Sequence, residues 1–318
     1  MKITVRLFFI SSLFIIPSFW NPLFAQSGPG STGAVELKIP VGPRAIAMGE
    51  AFVAVANDAN AIYWNPAGLV QLGGTHFTAQ YDLFIETVQY SYFALGTKLG
   101  NDAAIGAAAK ILGTGTDPAT DSNGNLTGGT VGENYFDVDL AGAYRLSYYF
   151  DMGLVVKYIS KSLASVSNSS DIAFDIGVLY RTPIPHLTAG MDIQNLGPGM
   201  KFDQVSDPLP LNFKVGLAYR LFDDNFTTAF DMNIPNDNAI MLNLGGEYWY
   251  QDTLVGRFGY EFQGSLDQNQ LGIGGLAGMF LGAGVKIPAF KNYVGLDYAW
   301  TNQGILGANH HFALDFYF

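Results

Sequence analysis

Leu211-Asn212-Phe213-Lys214-Val215-Gly216-Leu217-Ala218-Tyr219-Arg220-Leu221 alternates without a break. Successive side chains of an extended chain point to opposite sides, so a period of two sorts these residues onto two faces. Leu211, Phe213, Val215, Leu217, Tyr219 and Leu221 fall on one; Asn212, Lys214, Gly216, Ala218 and Arg220 fall on the other. The same sorting recurs along the chain. Ile172, Phe174, Ile176, Val178 and Tyr180 alternate with Asp171, Ala173, Asp175, Gly177, Leu179 and Arg181. Val138, Leu140 and Tyr144 oppose Asp137, Asp139 and Arg145, and Phe258, Tyr260 and Phe262 oppose Arg257 and Glu261. Gly, Asn, Asp and Pro clusters separate the segments. The pattern predicts strands near 75–82, 87–99, 103–112, 135–147, 151–162, 171–182, 187–196, 210–221, 226–234, 239–250, 253–263, 270–284, 292–301 and 308–318.

Period two alone fits either a soluble sandwich or a membrane barrel, because both carry one apolar and one polar face. Three features favour the barrel. The strands run to about ten to twelve residues, against about five or six in soluble sheets. Tyr and Trp gather near strand ends, as at Tyr248-Trp249-Tyr250, Tyr148-Tyr149 and Tyr298 to Trp300, where an aromatic girdle would lie. The polar faces mix both charge signs with Gly and Ala, which suits a crowded lumen. The fold class predicted is therefore all-β: a transmembrane antiparallel β-barrel of about 14 strands. In this reading Asp137, Asp139, Arg145, Lys157, Asp175, Arg181, Lys214, Arg220, Asp231, Glu247, Arg257, Glu261, Asp297 and Asp315 face the lumen. A paired network that fills the barrel is the favoured role for them over a conduction path, since an unpartnered buried charge costs several kcal/mol.

Composition agrees. Charged residues make up 14% of the 318, aromatics another 14%, and there are 38 glycines. A soluble domain carries roughly 25% charge. No apolar helix of spanning length follows residue 25, and a closed barrel is the other way to satisfy every backbone group in hydrocarbon. The net charge of −11 argues against nucleic acid, which needs a basic footprint. There is no cysteine, hence no disulfide and no acylation site of the lipoprotein kind. At the amino terminus, Lys2 and Arg6 precede an apolar run from Leu7 to about Phe19, and Leu23-Phe24-Ala25 forms a cleavage site. This is the anatomy of a signal peptide at 1–25, with export to the bacterial outer membrane expected.

Residues 34 to 72 break the strand rhythm. Pro43 to Ala56 is Ala-rich and predicts a short helix with proline in its first turn. Asn57, Asp58 and Asn60 offer a stop or a new cap, and Asn65-Pro66-Ala67-Gly68 is a turn. Arg44 and Asp58 are candidates to pair with the lumen wall. This segment, through Gly42, Arg44, Ala45, Met48, Gly49, Ala51, Asp58, Ala61, Trp64, Asn65, Pro66, Ala67, Gly68 and Leu69, resembles the amino-terminal hatch of FadL-like outer-membrane proteins, and more closely that of the PorV/PorQ family. The resemblance implies a barrel at 73–318 plugged by a small helical hatch at 26–72. It leaves open whether that hatch is a gate or a static plug. It implies either an accessory of type IX-like protein export, with secretion-system components or exported cargo as partners, or a channel for a hydrophobic small molecule. A structural exported β-protein is a third reading, since fold does not dictate function.

Nothing predicts an enzyme, a cofactor or a metal. There is no Gly-x-Ser-x-Gly elbow, no Walker lysine loop and no His-Glu-x-x-His helix. His76 and His186 read as isolated, and the adjacent His310 and His311 must face opposite ways in a strand. The glycine-rich 272–284 stretch reads as strand packing. Gly113 to Asn134 reads as a long surface loop, expected on the extracellular side. In the final segment Phe312, Leu314, Phe316 and Phe318 share the apolar face. Such alternating aromatics resemble the signal read by the outer-membrane assembly machinery, which assigns that role to Phe316 and Phe318, with outer-membrane lipid against the same face.

Overall fold

A computed structural model describes residues 28–83, 88–163, 167–202, 206–263, 278–289, 292–304 and 307–318. The signal peptide expected at 1–25 lies outside them. Among them, fourteen strands close into an antiparallel barrel in which each strand pairs with its neighbours in chain order. They are β1 Thr75–Leu83, β2 Gln89–Leu99, β3 Ala103–Gly113, β4 Glu133–Arg145, β5 Phe150–Leu163, β6 Ser167–Arg181 and β7 Leu187–Leu196. The second half comprises β8 Asn212–Leu221, β9 Phe226–Pro235, β10 Met241–Tyr250, β11 Leu254–Gln263, β12 Met279–Ala289, β13 Asn292–Asn302 and β14 Ala308–Tyr317. Closure is made by β1 on β14, from His76 opposite Tyr317 to Leu83 opposite His310. Phe318 extends that seam, exchanging two backbone hydrogen bonds with Thr75 at 3.1 and 2.8 Å.

Thirteen of the fourteen predicted strands coincide with observed ones to within a few residues. The exception is 270–284: the strand there is Met279–Ala289, and 264–277 lie outside the described residues. The apolar faces point outward. Leu140 is 62% exposed while Asp137 and Asp139 beside it are fully buried inside, the reverse of a soluble sheet. The long 113–134 connection is partly ordered as a hairpin, Asp117–Thr120 on Leu126–Val131. Its turn forms because the Asp121 carboxylate accepts the backbone N–H groups of Asn123 and Asn125, both at 2.9 Å. The 198–210 connection likewise pairs Met200–Lys201 with Ser206–Asp207.

Residues 34–72 run inside the barrel as short turns, not as one helix. The α-helix predicted over Pro43–Ala56 stops early: α1 is Pro43–Ala47. Gly49 and Glu50 both take positive φ, 63° and 65°, which ends α-helical geometry. The N–H groups of Phe52 and Val53 then donate to the Asp231 carboxylate at 2.7 and 2.8 Å instead of to helix carbonyls. A second turn, α2, covers Ala61–Trp64, and a 3-10 stretch covers Pro66–Gln71. Ala45, Met48, Phe52, Ile62, Trp64 and Leu69 are buried there in one apolar cluster.

Strand glycines seat this segment. Four cross-strand pairs face inward: Gly96 opposite Gly106, Gly153 opposite Gly177, Gly190 opposite Gly216, and Gly245 opposite Gly259. A Cβ on Gly153 would lie 2.3 Å from Ala67 N, on Gly190 2.5 Å from Val53 O, on Gly245 2.2 Å from Met48 O, and on Gly259 2.0 Å from Gly49 N. In each case the obstacle is backbone, which cannot swing aside. Gly259→Ala is expected to destabilise the detergent-solubilised barrel by about 1–3 kcal/mol through overpacking. Gly256→Ala, with nothing within 4 Å of the added carbon, should change stability by less than about 0.5 kcal/mol. Urea unfolding followed by heat-modifiable gel mobility measures both; equal stability of the two variants would refute the seating.

Candidate functional site

The interior of the barrel holds the functional candidates, and the inward face of each strand sets their positions. Arg44, on α1, reaches the wall of β10. Its Nε and one terminal nitrogen donate to the two Glu247 carboxylate oxygens, both at 2.8 Å, and its other terminal nitrogen donates to Asp58 at 3.0 Å and Asn57 at 2.7 Å. Glu247 also accepts from Arg257 on β11 at 2.7 Å, and Arg257 donates to Asp297 on β13 at 2.6 Å. Five predicted residues, Arg44, Asp58, Glu247, Arg257 and Asp297, thus form one chain of alternating charge. The bidentate fork gives it direction as well as strength.

Around the rest of the wall the pairs are local. Lys110 lies 2.7 Å from Asp137 and 3.6 Å from Asp139. Lys157 pairs with Asp175 at 2.7 Å and donates to Asn195 at 2.9 Å. His76 meets Asp315 at 3.0 Å and stacks on Tyr317, while His311 meets Asp82 at 3.0 Å. These two His–Asp pairs cross the β1–β14 seam in opposite directions. Near the long-loop end, Lys161 bridges Glu36 and Glu133 at 2.6 and 3.2 Å, and Asp237 accepts from Thr32 and Lys38 at 2.6 and 2.7 Å.

The remaining residues of the amino-terminal motif are held by backbone contacts. Asp58 also accepts the Asn60 N–H at 2.9 Å. Trp64 donates from Nε1 to Val41 O at 2.8 Å, with its ring edge-on to Phe52 and Tyr63. Asn65 donates to Val53 O at 2.9 Å and Val178 O at 3.0 Å, and accepts from Ala67 N at 3.2 Å. Pro66 and Ala67 lie on the Gly153–Gly177 pair. A Cβ on Gly68 would fall 1.9 Å from Ala56 O, so that turn admits glycine alone. Gly49 lies against β11, with Asn243 donating to its carbonyl at 2.6 Å.

Several expectations need correction. Arg220 is on an inward-facing register position but lies past the end of the filled interior, at the short-turn rim. Its side chain is half exposed and lies 3.8 Å from Asp224. Arg145 and Arg181 are also at that rim, converging on Asp151 and away from the central network. Neither His76 nor His186 is isolated; His186 meets Asp224 at 2.8 Å on the exposed turn. His310 does face away from His311, meeting the Tyr298 hydroxyl at 2.8 Å on the outer face. Phe316 and Phe318 are on the outer face, their rings stacked 6.4 Å apart. Glu36, Glu50, Lys110, Asp151, Lys161, Asp192 and Asp237 were not singled out from sequence. Lys110, Asp151 and Lys161 carried a usable signal, since each shares strand parity with a small or charged inward residue: Gly106, Gly153 and Lys157.

A cavity of about 220 Å3 remains between the inner segment and β7–β11, toward the long-loop end. Its lining includes the polar side chains of Glu50, Gln194, Asn212, Lys214, Asn233 and Glu261 beside Tyr63, Leu37, Pro235 and Met241. Burial first, and then the charge of Glu261, push the Glu50 carboxyl up to about 8, against the pull of Lys214.

The family described as type IX secretion system protein PorV matches residues 29–239. Among solved structures, the Ralstonia pickettii toluene transporter TbuX is 17% identical with a TM-score of 0.61, over 87% of this chain and 98% of that one. The P. putida toluene transporter TodX is 12% identical with a TM-score of 0.62, over 87% and 98%. A Pseudomonas aeruginosa FadL homologue is 10% identical with a TM-score of 0.54, over 87% and 98%. At such identities these structures share the fold. No curated protein matches the chain.

Arg44→Met strips Glu247 and Asp58 of a partner inside the barrel. It is expected to cost about 3–5 kcal/mol in urea unfolding, the range for breaking a buried ion pair from one side. Arg220→Ala at the rim should cost less than about 0.5 kcal/mol. Matching unfolding midpoints for the two variants would show that the Arg44 network does not anchor the inner segment.

Proposed function

This chain belongs to the type IX secretion system protein PorV family, and we propose that it is a non-enzymatic outer-membrane β-barrel serving as an accessory in protein export or surface assembly. In this reading residues 1–25 direct export and are removed near Ala25, residues 26–72 plug the lumen, and residues 73–318 span the membrane. The observation that carries the reading is the family match together with a filled interior. Strand glycines and the Arg44–Glu247–Arg257–Asp297 chain hold the inner segment to the wall. A barrel occupied in this way works through its surfaces, by docking secretion components or exported cargo on its loops.

The alternative, a channel for hydrophobic small molecules, draws on the fold shared with the toluene transporters TbuX and TodX. Against it, the interior cavity is lined by Glu50, Lys214, Asn233 and Glu261, groups that a hydrocarbon would leave desolvated and unpaired. Deleting the gene and measuring both the surface-protein complement and toluene uptake separates the two. The expected result is loss of surface-anchored or secreted proteins with uptake unchanged. Normal export with lost uptake would replace the first reading by the second.

Assembly in the membrane is the other part of this proposal. Phe316 and Phe318 present stacked aromatic rings outward on the strand that closes the barrel. We assign them the recognition signal for the assembly machinery, with lipid as their final contact. Phe318→Ala should lower the yield of heat-modifiable barrel in the outer membrane while leaving total synthesis unchanged. Wild-type yield in that variant would remove Phe318 from this role.

A further inference from the structure

Lys214 is the unusual charge of the interior. It is 4% exposed. Every other buried lysine of the wall, Lys110, Lys157 and Lys161, is within ion-pair distance of a carboxylate. Lys214 makes no hydrogen bond or ion pair among the described residues. Its ammonium instead rests over the rings of Trp64 at 4.6 Å and Tyr63 at 5.3 Å, which hold the cation from behind. Lys214 lines the 220 Å3 cavity, and so do Glu50 and Glu261. Glu50 also has no hydrogen-bond or ion-pair partner for its carboxylate among the described residues, and its backbone is left-handed at φ 65°. Glu261 accepts one hydrogen bond, from Asn243 at 3.2 Å. Two further acceptors in the same lining, Asn212 Oδ1 and Asn233 Oδ1, are buried and unpaired.

The cavity therefore offers one buried donor cation and a set of acceptors, all in one lining, with Lys214 and Glu50 not joined to each other. Buried polar groups are normally satisfied, so unpaired ones of complementary kind around one space describe a molecule with the converse groups. We propose that this cavity binds a small ammonium–carboxylate zwitterion of amino-acid size, its carboxylate on Lys214 and its ammonium toward Glu50, Glu261 and the Asn233 carbonyl. The size is bounded from above: 220 Å3 is less than the roughly 300–1,000 Å3 of pockets for drug-sized ligands. The charge is bounded too. Within the lining Lys38 and Asp237 already pair at 2.7 Å, which leaves the carboxyls of Glu50 and Glu261 with Lys214, and burial and then the charge of Glu261 push the Glu50 carboxyl up to about 8. A ligand ammonium supplies a second positive charge. This site is independent of whether the barrel serves export or uptake, because neither role needs an occupant there.

Equilibrium dialysis of the full-length barrel in a nonionic detergent, with radiolabelled L-lysine and L-alanine at about pH 8, tests the proposal. Saturable binding of at least one of them at one site per chain is expected, with acetate and methylammonium, which carry one charge each, competing at least about tenfold more weakly. Lys214→Met and Glu50→Gln should each weaken binding about tenfold or more, the loss of one charged hydrogen bond. Arg220→Ala at the rim should bind as the wild type does. Heat-modifiable mobility identifies variants that fold; if Lys214→Met does not, the near-isosteric Glu50→Gln decides. No saturable binding up to about 50 mM, a weakness beyond specific recognition, overturns the proposal. So does single-charge competition as strong as that of the zwitterions, or unchanged binding in the folded variants.

Discussion

The close approach of the inner segment to the barrel wall is the constraint on which the rest of this structure depends. Backbone touches backbone at Ala67 on Gly153, Val53 on Gly190, Met48 on Gly245 and Gly49 on Gly259. Facing glycines come in pairs across adjacent strands, so each seat is a flat patch two strands wide. A side chain at any of these positions would hold the segment off the wall. It would also carry Arg44, Asn65 and Trp64 out of reach of their partners. The fourteen-stranded closure and the short turns of residues 34–72 are thus two halves of one fit.

Charge follows from that fit. Filling the lumen removes water from groups that an open barrel would leave hydrated, and each must then find a partner. Most do so across one or two strands, as Lys110 with Asp137 or Lys157 with Asp175. Arg44 does so across the junction between the segment and the wall, and links both to β11 and β13. The His76–Asp315 and His311–Asp82 pairs fasten the first strand to the last. Lys214 departs from this rule, and it lines the same cavity as the carboxyls of Glu50 and Glu261. Outside, the ordering is reversed: Leu140, Phe258 and Leu296 face outward, where only a lipid phase makes such exposure favourable.

Much of this was legible in one dimension. Alternation along Leu211–Leu221 or Asp171–Arg181 reports which side chains share a face, because a strand repeats every two residues whatever surrounds it. Strand number and the common face of Asp137, Asp139, Glu247, Arg257 and Asp315 follow from that period, while strand length, aromatic strand ends and the mixed polar face turn that face inward. It fails at strand ends, where Arg220 keeps its parity but meets water, since parity carries no information about depth. It also fails where helix propensity meets tertiary competition. The Ala-rich run after Pro43 favours helix, yet Asp231, far away in sequence, captures the N–H groups of Phe52 and Val53.

By itself, then, the sequence determined a barrel, its two faces and a distinct amino-terminal segment carrying the Asn65-Pro66-Ala67-Gly68 turn, because these rest on local period, turn chemistry and composition. Only the tertiary structure decided who meets whom. His76 pairs with Asp315 and Arg44 with Glu247 across more than half the chain. The glycine seats depend on the register of neighbouring strands. The cavity at Lys214 exists because β7–β11 and the inner segment leave one space between them. Each of these is a distance in three dimensions between residues remote in sequence, and no local pattern encodes it.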